Sequence, residues 1–361
     1  MRIGFFTRLL EDAPAPDRYR FALDQIARAE DLGFDSAWVA QHHFSGAEGG
    51  LPSPLVFLSH AAARTRSIRL GTGIITLPME NPVRLAEDAA VLDVLSGGRL
   101  EIGVGSGGNP QSFPAFGTTF EERHPRFDEN LRVLRTLFDG HELGTGHRLY
   151  PAVSGPTAAE AGGTSSSPAS ALSARIWQAT FSAPGAEKAG AAGDGLMLSR
   201  TQPRPDEVAS AEALRSGAPG FSLSDIQQPV VDAYTRALPA GATPRILASR
   251  TAFAVDPRDR AEVLGRTAAV LRGVAPRLFG FEADELSDEE LLLASDTYFG
   301  TPDEILERMA QDAILGQATE VSFQVHSVPA THEETLRSLE LLGTEVVPVL
   351  RSEFTASPVA S

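Results

Sequence analysis

The chain has 361 residues, of which 42% are hydrophobic and 22% charged, an ordinary globular balance that excludes fibrous and wholly disordered classes. A formal net charge of −16 opposes binding to nucleic-acid phosphates or anionic lipid, which needs clustered Lys and Arg. With no cysteine there is no disulfide framework, thiolate nucleophile, zinc–thiolate site or cysteine-ligated iron–sulfur cluster, so any redox chemistry requires an organic cofactor or a non-thiolate metal.

The apolar run 3–6 predicts a strand, and Tyr19, Leu23, Ile26 and Ala29 recur at helical spacing over 17–32 before Gly33. A second strand, 37–40, runs into Gln41-His42-His43-Phe44. Ser53-Pro54 offers a polar N-cap and a proline at the first helical position. A third strand is predicted over 68–77, and Asn81-Pro82 opens a helix carrying Leu85, Ala89, Leu92 and Leu95 to a Gly97-Gly98 stop. The fourth strand spans 100–104 and is followed by a helix over 127–138.

Residues 144–174 are rich in Ala, Ser, Gly and Pro without periodicity and are expected to form a long mobile insertion. Strands follow at 175–180, 195–198 and 246–255, with helices from Gly185, over 230–238, and from Arg258 to about Arg272. A second irregular stretch, 273–299, is acidic. Thr301-Pro302-Asp303-Glu304 reads as a capping box, and a last strand over 319–325 precedes a helix capped by Thr331 with Glu334. Eight strands alternating with helices predict an α/β fold, a (β/α)8 TIM barrel filling one domain over 1–361, with the two irregular insertions at its C-terminal mouth. A doubly wound open sheet is the alternative. The first residues lack a signal peptide's basic region, apolar run and cleavage site, and no apolar run approaches the roughly 20 residues of a membrane span. The expectation is a soluble cytoplasmic protein with no membrane or nucleic-acid partner.

Gly103-Val104-Gly105-Ser106-Gly107-Gly108 fits GxGxxG after a strand, with Asp128 further on, so a Rossmann site has to be weighed. That fingerprint opens a helix after the first strand of its unit. Here it follows the fourth strand, and Asn109-Pro110-Gln111-Ser112-Phe113-Pro114 reads as loop. A glycine-lined loop at a barrel mouth, where a ligand approaches the backbone closely, fits better.

His42 and His43, as neighbours on a strand, point to opposite faces, and no HxH or carboxylate spacing completes a ligand set, so no metal site is expected. Trp38, Ala40 and His42 share a side, and an imidazole directed into the pocket suits a general acid–base or a hydrogen-bond donor. The plain alternative is a histidine bonded to a loop carbonyl. Residues 176–185 pass from strand through a small-residue turn into a helix whose first amides attract phosphate. Ser199 and Arg200 fall at the end of the next strand, where arginine is a natural phosphate clamp. Ser182 taken alone is an N-cap, and Arg200 alone a solvated charge. Together they point to a phosphorylated ligand. No GxSxG or HExxH is present.

Over most of its length the chain resembles the bacterial-luciferase-like monooxygenase family. The likeness is carried by Leu32-Gly33-Phe34-Asp35-Ser36-Ala37-Trp38-Val39-Ala40-Gln41-His42-His43-Phe44, by Arg69 to Pro78, by Asn81-Pro82-Val83-Arg84-Leu85-Ala86-Glu87-Asp88, by Leu92 to Leu100, by Phe116-Gly117 and by Gly300-Thr301-Pro302-Asp303-Glu304. The resemblance implies a TIM barrel binding reduced FMN at its C-terminal mouth, where reaction with O2 gives a C4a-hydroperoxide that oxygenates a small organic substrate. It implies His42 as the catalytic histidine. For the cofactor it implies Thr72, Gly73 and Ile74, with Thr76, on a strand carrying a non-proline cis peptide under the flavin ring. Ser106 supports the flavin, Ser182 with Thr180 binds its phosphate, and Ser199 and Arg200 lie on the next contacting loop. Luciferase has arginine at the position of Ser106 and an acidic residue at that of Gln41, so neither a luciferase-type aldehyde reaction nor light emission follows from the resemblance. A separate flavin reductase and a homodimer are expected partners. Two other readings belong to the same resemblance: an F420-dependent dehydrogenase and a non-catalytic flavin-binding protein.

Overall fold

Eight parallel strands close on themselves in the computed structural model, which describes residues 1–144, 146–153, 171–281, 283–325 and 329–354. In chain order the strands are β1 (Arg2–Thr7), β2 (Ser36–Val39), β3 (Arg69–Thr72), β4 (Ile75–Thr76), β5 (Leu100–Gly105), β6 (Ile176–Ala179), β7 (Gly195–Leu198), β8 (Ile246–Ala254), β9 (Thr297–Gly300) and β10 (Glu320–Gln324). The order around the sheet is β10-β1-β2-β3-β5-β6-β7-β8, and β8 pairs back onto β10 through Leu247↔Glu320 to Thr251↔Gln324. Helices lie between successive strands, as the alternation predicts. No helix among the described residues is long and apolar enough to cross a membrane.

Period-two alternation decides the two faces of the barrel wall. Ile3, Phe5, Leu70, Ile102, Val104, Ile176, Leu196, Val321 and Phe323 are buried in the core shared with the surrounding helices. Each such side chain contributes about 1.5–3 kcal/mol on burial. The inward set is different. Trp38 and Trp177 meet edge to face, with ring centroids 5.8 Å apart, and cluster with Met197 and Leu247. Below them lies a charged floor: Trp38 Nε1 donates to Glu320 (2.7 Å) and Trp177 Nε1 to Glu101 (2.8 Å), while Arg2 pairs with Glu320 (2.8 Å) and Arg69 with Glu101 (2.5 Å). The rings fit because glycines face them: a Cβ on Gly71 would overlap Trp38, and one on Gly195 would overlap Trp177.

Several sequence expectations are corrected. The third strand is not continuous over 68–77 but breaks at Gly73–Ile74, a cis peptide. Across the break the Thr72 hydroxyl donates to the Gly103 carbonyl (2.8 Å) and accepts from the Gly103 amide (2.9 Å). The 273–299 stretch is not irregular. One helix runs Arg260–Phe279, a second spans Asp288–Ala294 inside a Ser287/Glu290 capping box, and β9 pairs Thr297–Gly300 with Thr251–Ala254 of β8. The helix expected over 230–238 spans Leu223–Ala237, because Ser222 caps it eight residues before Val230 and Pro229 is accommodated inside. The loop expected after the glycine run contains a 3₁₀ segment, Pro110–Phe116. Most of the insertion expected over 144–174 lies outside the described residues.

Gly71→Ala should lower the free energy of unfolding by about 1–3 kcal/mol, the usual range for overpacking a locked core, because the Trp38 ring is pinned by its hydrogen bonds. Urea denaturation measures this, and an unchanged midpoint would show that the ring has room to move.

Candidate functional site

The C-terminal ends of the strands gather Arg8 after β1, His42 after β2, Gly73 and Ile74 after β3, Ser106 after β5, Thr180 and Ser182 after β6, Ser199 and Arg200 after β7, and Thr251 within β8. In this fold that face carries the loops that build catalytic sites.

His42 is held from both sides. Its backbone amide donates to Leu51 O (2.9 Å), and its ring lies against Gly49, where any Cβ would overlap it. The imidazole is half-buried, with Nδ1 3.9 Å from Glu48 Oε2. Burial first, and then the charges of Arg8, His43 and Arg200, depress its pKa to about 4. Those effects outweigh Glu48, so His42 is neutral near pH 7, with one ring nitrogen able to donate and the other to accept.

Its neighbours on the loop face elsewhere. Gln41 accepts from the Thr76 amide (2.7 Å), donates to Glu80 (2.8 Å), and borders a groove between helices Pro54–Arg64 and Pro82–Leu95. The His43 ring packs edge-on against Phe116, centroids 4.6 Å apart. Glu48 Oε2 accepts from Asn109 Nδ2 (2.8 Å), tying this loop to the one that follows the glycine run.

Glycines line the strands beneath the mouth, Gly73 partly exposed and Gly103 and Gly105 buried against their neighbours. A Cβ on Gly73 would come 2.8 Å from the Phe6 ring, one on Gly103 would overlap the Thr72 carbonyl, and one on Gly105 would lie 3.0 Å from Ile74. Flat approach of a planar ring needs exposed backbone such as that at Gly73. At β6, Ser182 N donates to Thr180 Oγ1 (3.1 Å), Gly185 N donates to Ser182 Oγ (3.2 Å), and the two hydroxyls stand 3.3 Å apart. This cluster opens helix Ala183–Ala191, and a Cβ on Gly185 would fill it. Exposed amides and hydroxyls at a helix start suit a phosphate. The residues present therefore fit a ring-bearing phosphate ester such as a flavin mononucleotide.

Not every expected residue offers its side chain. The Thr72 hydroxyl is engaged on both sides by Gly103, and Thr76 is buried with its amide held by Gln41. Ser199 contributes a carbonyl that accepts from Gln227 (2.7 Å). Arg200 donates to Thr251 Oγ1 (3.4 Å), feels the charges of Arg8 and Asp296, and itself acts on His42. Arg8, which donates to the Glu48 carbonyl, was missed in the sequence although it too follows a strand end.

The family model for luciferase-like monooxygenases matches residues 1–320. The chain belongs to this family. Among luciferase-like relatives, the 4-hydroxyprotoasukamycin monooxygenase of Streptomyces nodosus subsp. asukaensis is 40% identical over 113 residues, 31% of this chain and 30% of that protein. The F420-dependent glucose-6-phosphate dehydrogenase of Amycolatopsis mediterranei (strain U-32) is 34% identical over 125 residues, 33% of this chain and 38% of that one. The matched segments thus span well under half of these curated relatives. The crystal structure of monooxygenase RslO1 from Streptomyces bottropensis superposes with a TM-score of 0.71 at 27% identity, covering 97% of this chain and 99% of that one. Membership of the luciferase-like family accords with the closed barrel.

A histidine whose folded pKa lies below its unfolded value binds fewer protons than the unfolded chain between about 4 and the ordinary imidazole value of 6.5, so stability must rise with pH across that window. Thermal melts from pH 4 to 7 should show this rise, and His42→Gln should flatten it. An unchanged slope in the variant would mean that other groups cause it.

Proposed function

We propose that this protein is a flavin-dependent monooxygenase that uses reduced FMN and O2 to oxygenate a small organic substrate. The observation that carries the reading is a neutral, half-buried His42 on the same barrel mouth as the partly exposed backbone at Gly73 and Ile74 and a hydroxyl–amide phosphate cradle. Thr180, Ser182 and the amides of the Ala183–Ala191 helix would hold the phosphate. The partly exposed backbone at Gly73 and Ile74, with Ser106, would lie against the ring. When bound, reduced flavin supplies the two electrons that activate O2.

His42 donates or accepts one hydrogen bond at the reacting centre without bringing a charge into it. Phe44 and Phe181, 78% and 55% exposed, are apolar side chains available at the rim to cover bound substrate and keep water out. Electrons come from a separate reductase. What supports this is that the GxGxxG run forms part of the mouth and leads into the 3₁₀ segment Pro110–Phe116, where a nicotinamide site would need a helix. The second reading, F420-dependent hydride transfer, is favoured by the dehydrogenase relative.

Anaerobic titration with reduced FMN, oxidised FMN and F420, followed by fluorescence, separates the two. We expect reduced FMN to bind and to consume O2 on its admission, with no NADH oxidation unless a reductase is added. His42→Ala should abolish substrate oxygenation while flavin affinity stays unchanged. Selective binding of F420 with no oxygen uptake would move the protein to the dehydrogenase branch, and NADH turnover without a reductase would remove the two-component arrangement.

A further inference from the structure

We infer that Arg8 and Arg200 form a second anion subsite inside the mouth, which receives an anionic group of the substrate, a carboxylate or similar oxyanion, next to His42. This rests on the mouth being the active site proposed above and adds the chemical class of its substrate.

The two arginines come from strands separated by β8 and β10 in the closed ring. Both turn inward. Arg200 crosses to the Thr251 hydroxyl on β8, at a residue with no exposed surface, and Arg8 reaches the Glu48 carbonyl on the loop that carries His42. Burial and the charge of Arg8 push Arg200 down to about 9, burial lowers Arg8 against the opposing charge of Glu48, and both arginines hold His42 low. The guanidiniums nevertheless stay charged at neutral pH, so two positive charges act on the same imidazole.

Three buried arginines elsewhere in the protein show the usual solution, a carboxylate partner, although Arg99 and Arg245, away from the mouth, also bond neutral carbonyls. Arg175 is held by Asp93 (2.6 Å), Arg250 by Asp312 (2.6 Å), and Arg204 by Asp296. A buried cation left without a carboxylate is costly, which is why such pairs are the rule. Among the described residues, the hydrogen bonds of Arg8 and Arg200 go instead to neutral oxygens, a carbonyl and a hydroxyl. The two carboxylates nearest them are already engaged. Glu48 is half-exposed and bound to Asn109, and Asp296 is bound through both oxygens by Arg204.

The guanidinium fork matches a carboxylate or other oxyanion in two-point contact. The proposed cofactor phosphate has its own cradle at Thr180, Ser182 and Gly185, after β6, whereas Arg200 meets Thr251 on β8 and Arg8 after β1, on its other side. An anion seated between the arginines also relaxes their grip on His42. The charged and titratable groups facing that ring are Arg8, Arg200, Glu48 and His43. Neutralising the first two raises its proton affinity, so arrival of substrate would prepare His42 to carry a proton.

The test uses the flavin-free protein, with benzoate and benzyl alcohol as probes and, separately, FMN and riboflavin, all by calorimetry. A charge-assisted contact should make benzoate bind at least about 10-fold more tightly than benzyl alcohol. Arg8→Gln and Arg200→Gln should each erase that preference, and Arg200→Lys should keep part of it, separating charge from packing. The preference for FMN over riboflavin should survive Arg200→Gln and fall in Ser182→Ala. By NMR, saturating benzoate should move the His42 titration to higher pH in the wild type and not in Arg200→Gln. Equal binding of benzoate and benzyl alcohol would overturn the inference, as would loss of the FMN-over-riboflavin preference in Arg200→Gln. If FMN fails to bind while the benzoate preference holds, the cofactor reading fails and the subsite stands.

Discussion

Everything above the middle of this barrel depends on the way its lower half is filled. Trp38 and Trp177 cross edge to face over Glu320 and Glu101, whose carboxylates accept from the indole nitrogens and are themselves paired with Arg2 and Arg69. Two large rings fit into the interior because Gly71 and Gly195 face them. The result is a plug sealed at the N-terminal end by a polar floor. At the opposite end the strands lead into Arg8, His42, Gly73, Ser182 and Arg200. Packing at the bottom thus determines where chemistry takes place at the top.

Much of this was legible in the sequence because it is local. Asn81, Thr301 and Thr331 cap the helices they were expected to open, each accepting amides of the first turn. The strand–helix alternation gave the barrel, and the placement of His42 at the end of β2 followed from it. The β9 strand was not legible. Its four residues depend on pairing with the far end of β8, a contact between segments more than forty residues apart. The helix before it was legible in principle, since Ser287 and Glu290 form the same capping signature recognised at Thr301.

The candidate site divides along similar lines. Thr180, Ser182 and Gly185 are near neighbours, and their cluster could be anticipated from spacing. The engagement of Thr72 with Gly103 could not, because it bridges two strands across the break at Gly73–Ile74. Arg8 was overlooked although it occupies the kind of position that drew attention to Arg200. Its significance comes from a meeting across the ring that only the closed barrel creates. That meeting also gives the acidic chain, net −16, a positively charged interior to its mouth. Net charge speaks to the outer field, while the site is governed by the few charges that face it at short range.

The central claim is that a flavin lies on the backbone at Gly73 and Ile74, in the mouth beside His42. The most direct measurement is a crystal structure of the protein grown with FMN. The account calls for the ring over Gly73 and Ile74, with His42 at its edge and the phosphate on Ser182 and the amides that follow it. A ring lodged instead in the groove between helices Pro54–Arg64 and Pro82–Leu95, or a phosphate on Arg200 and Arg8, would contradict it.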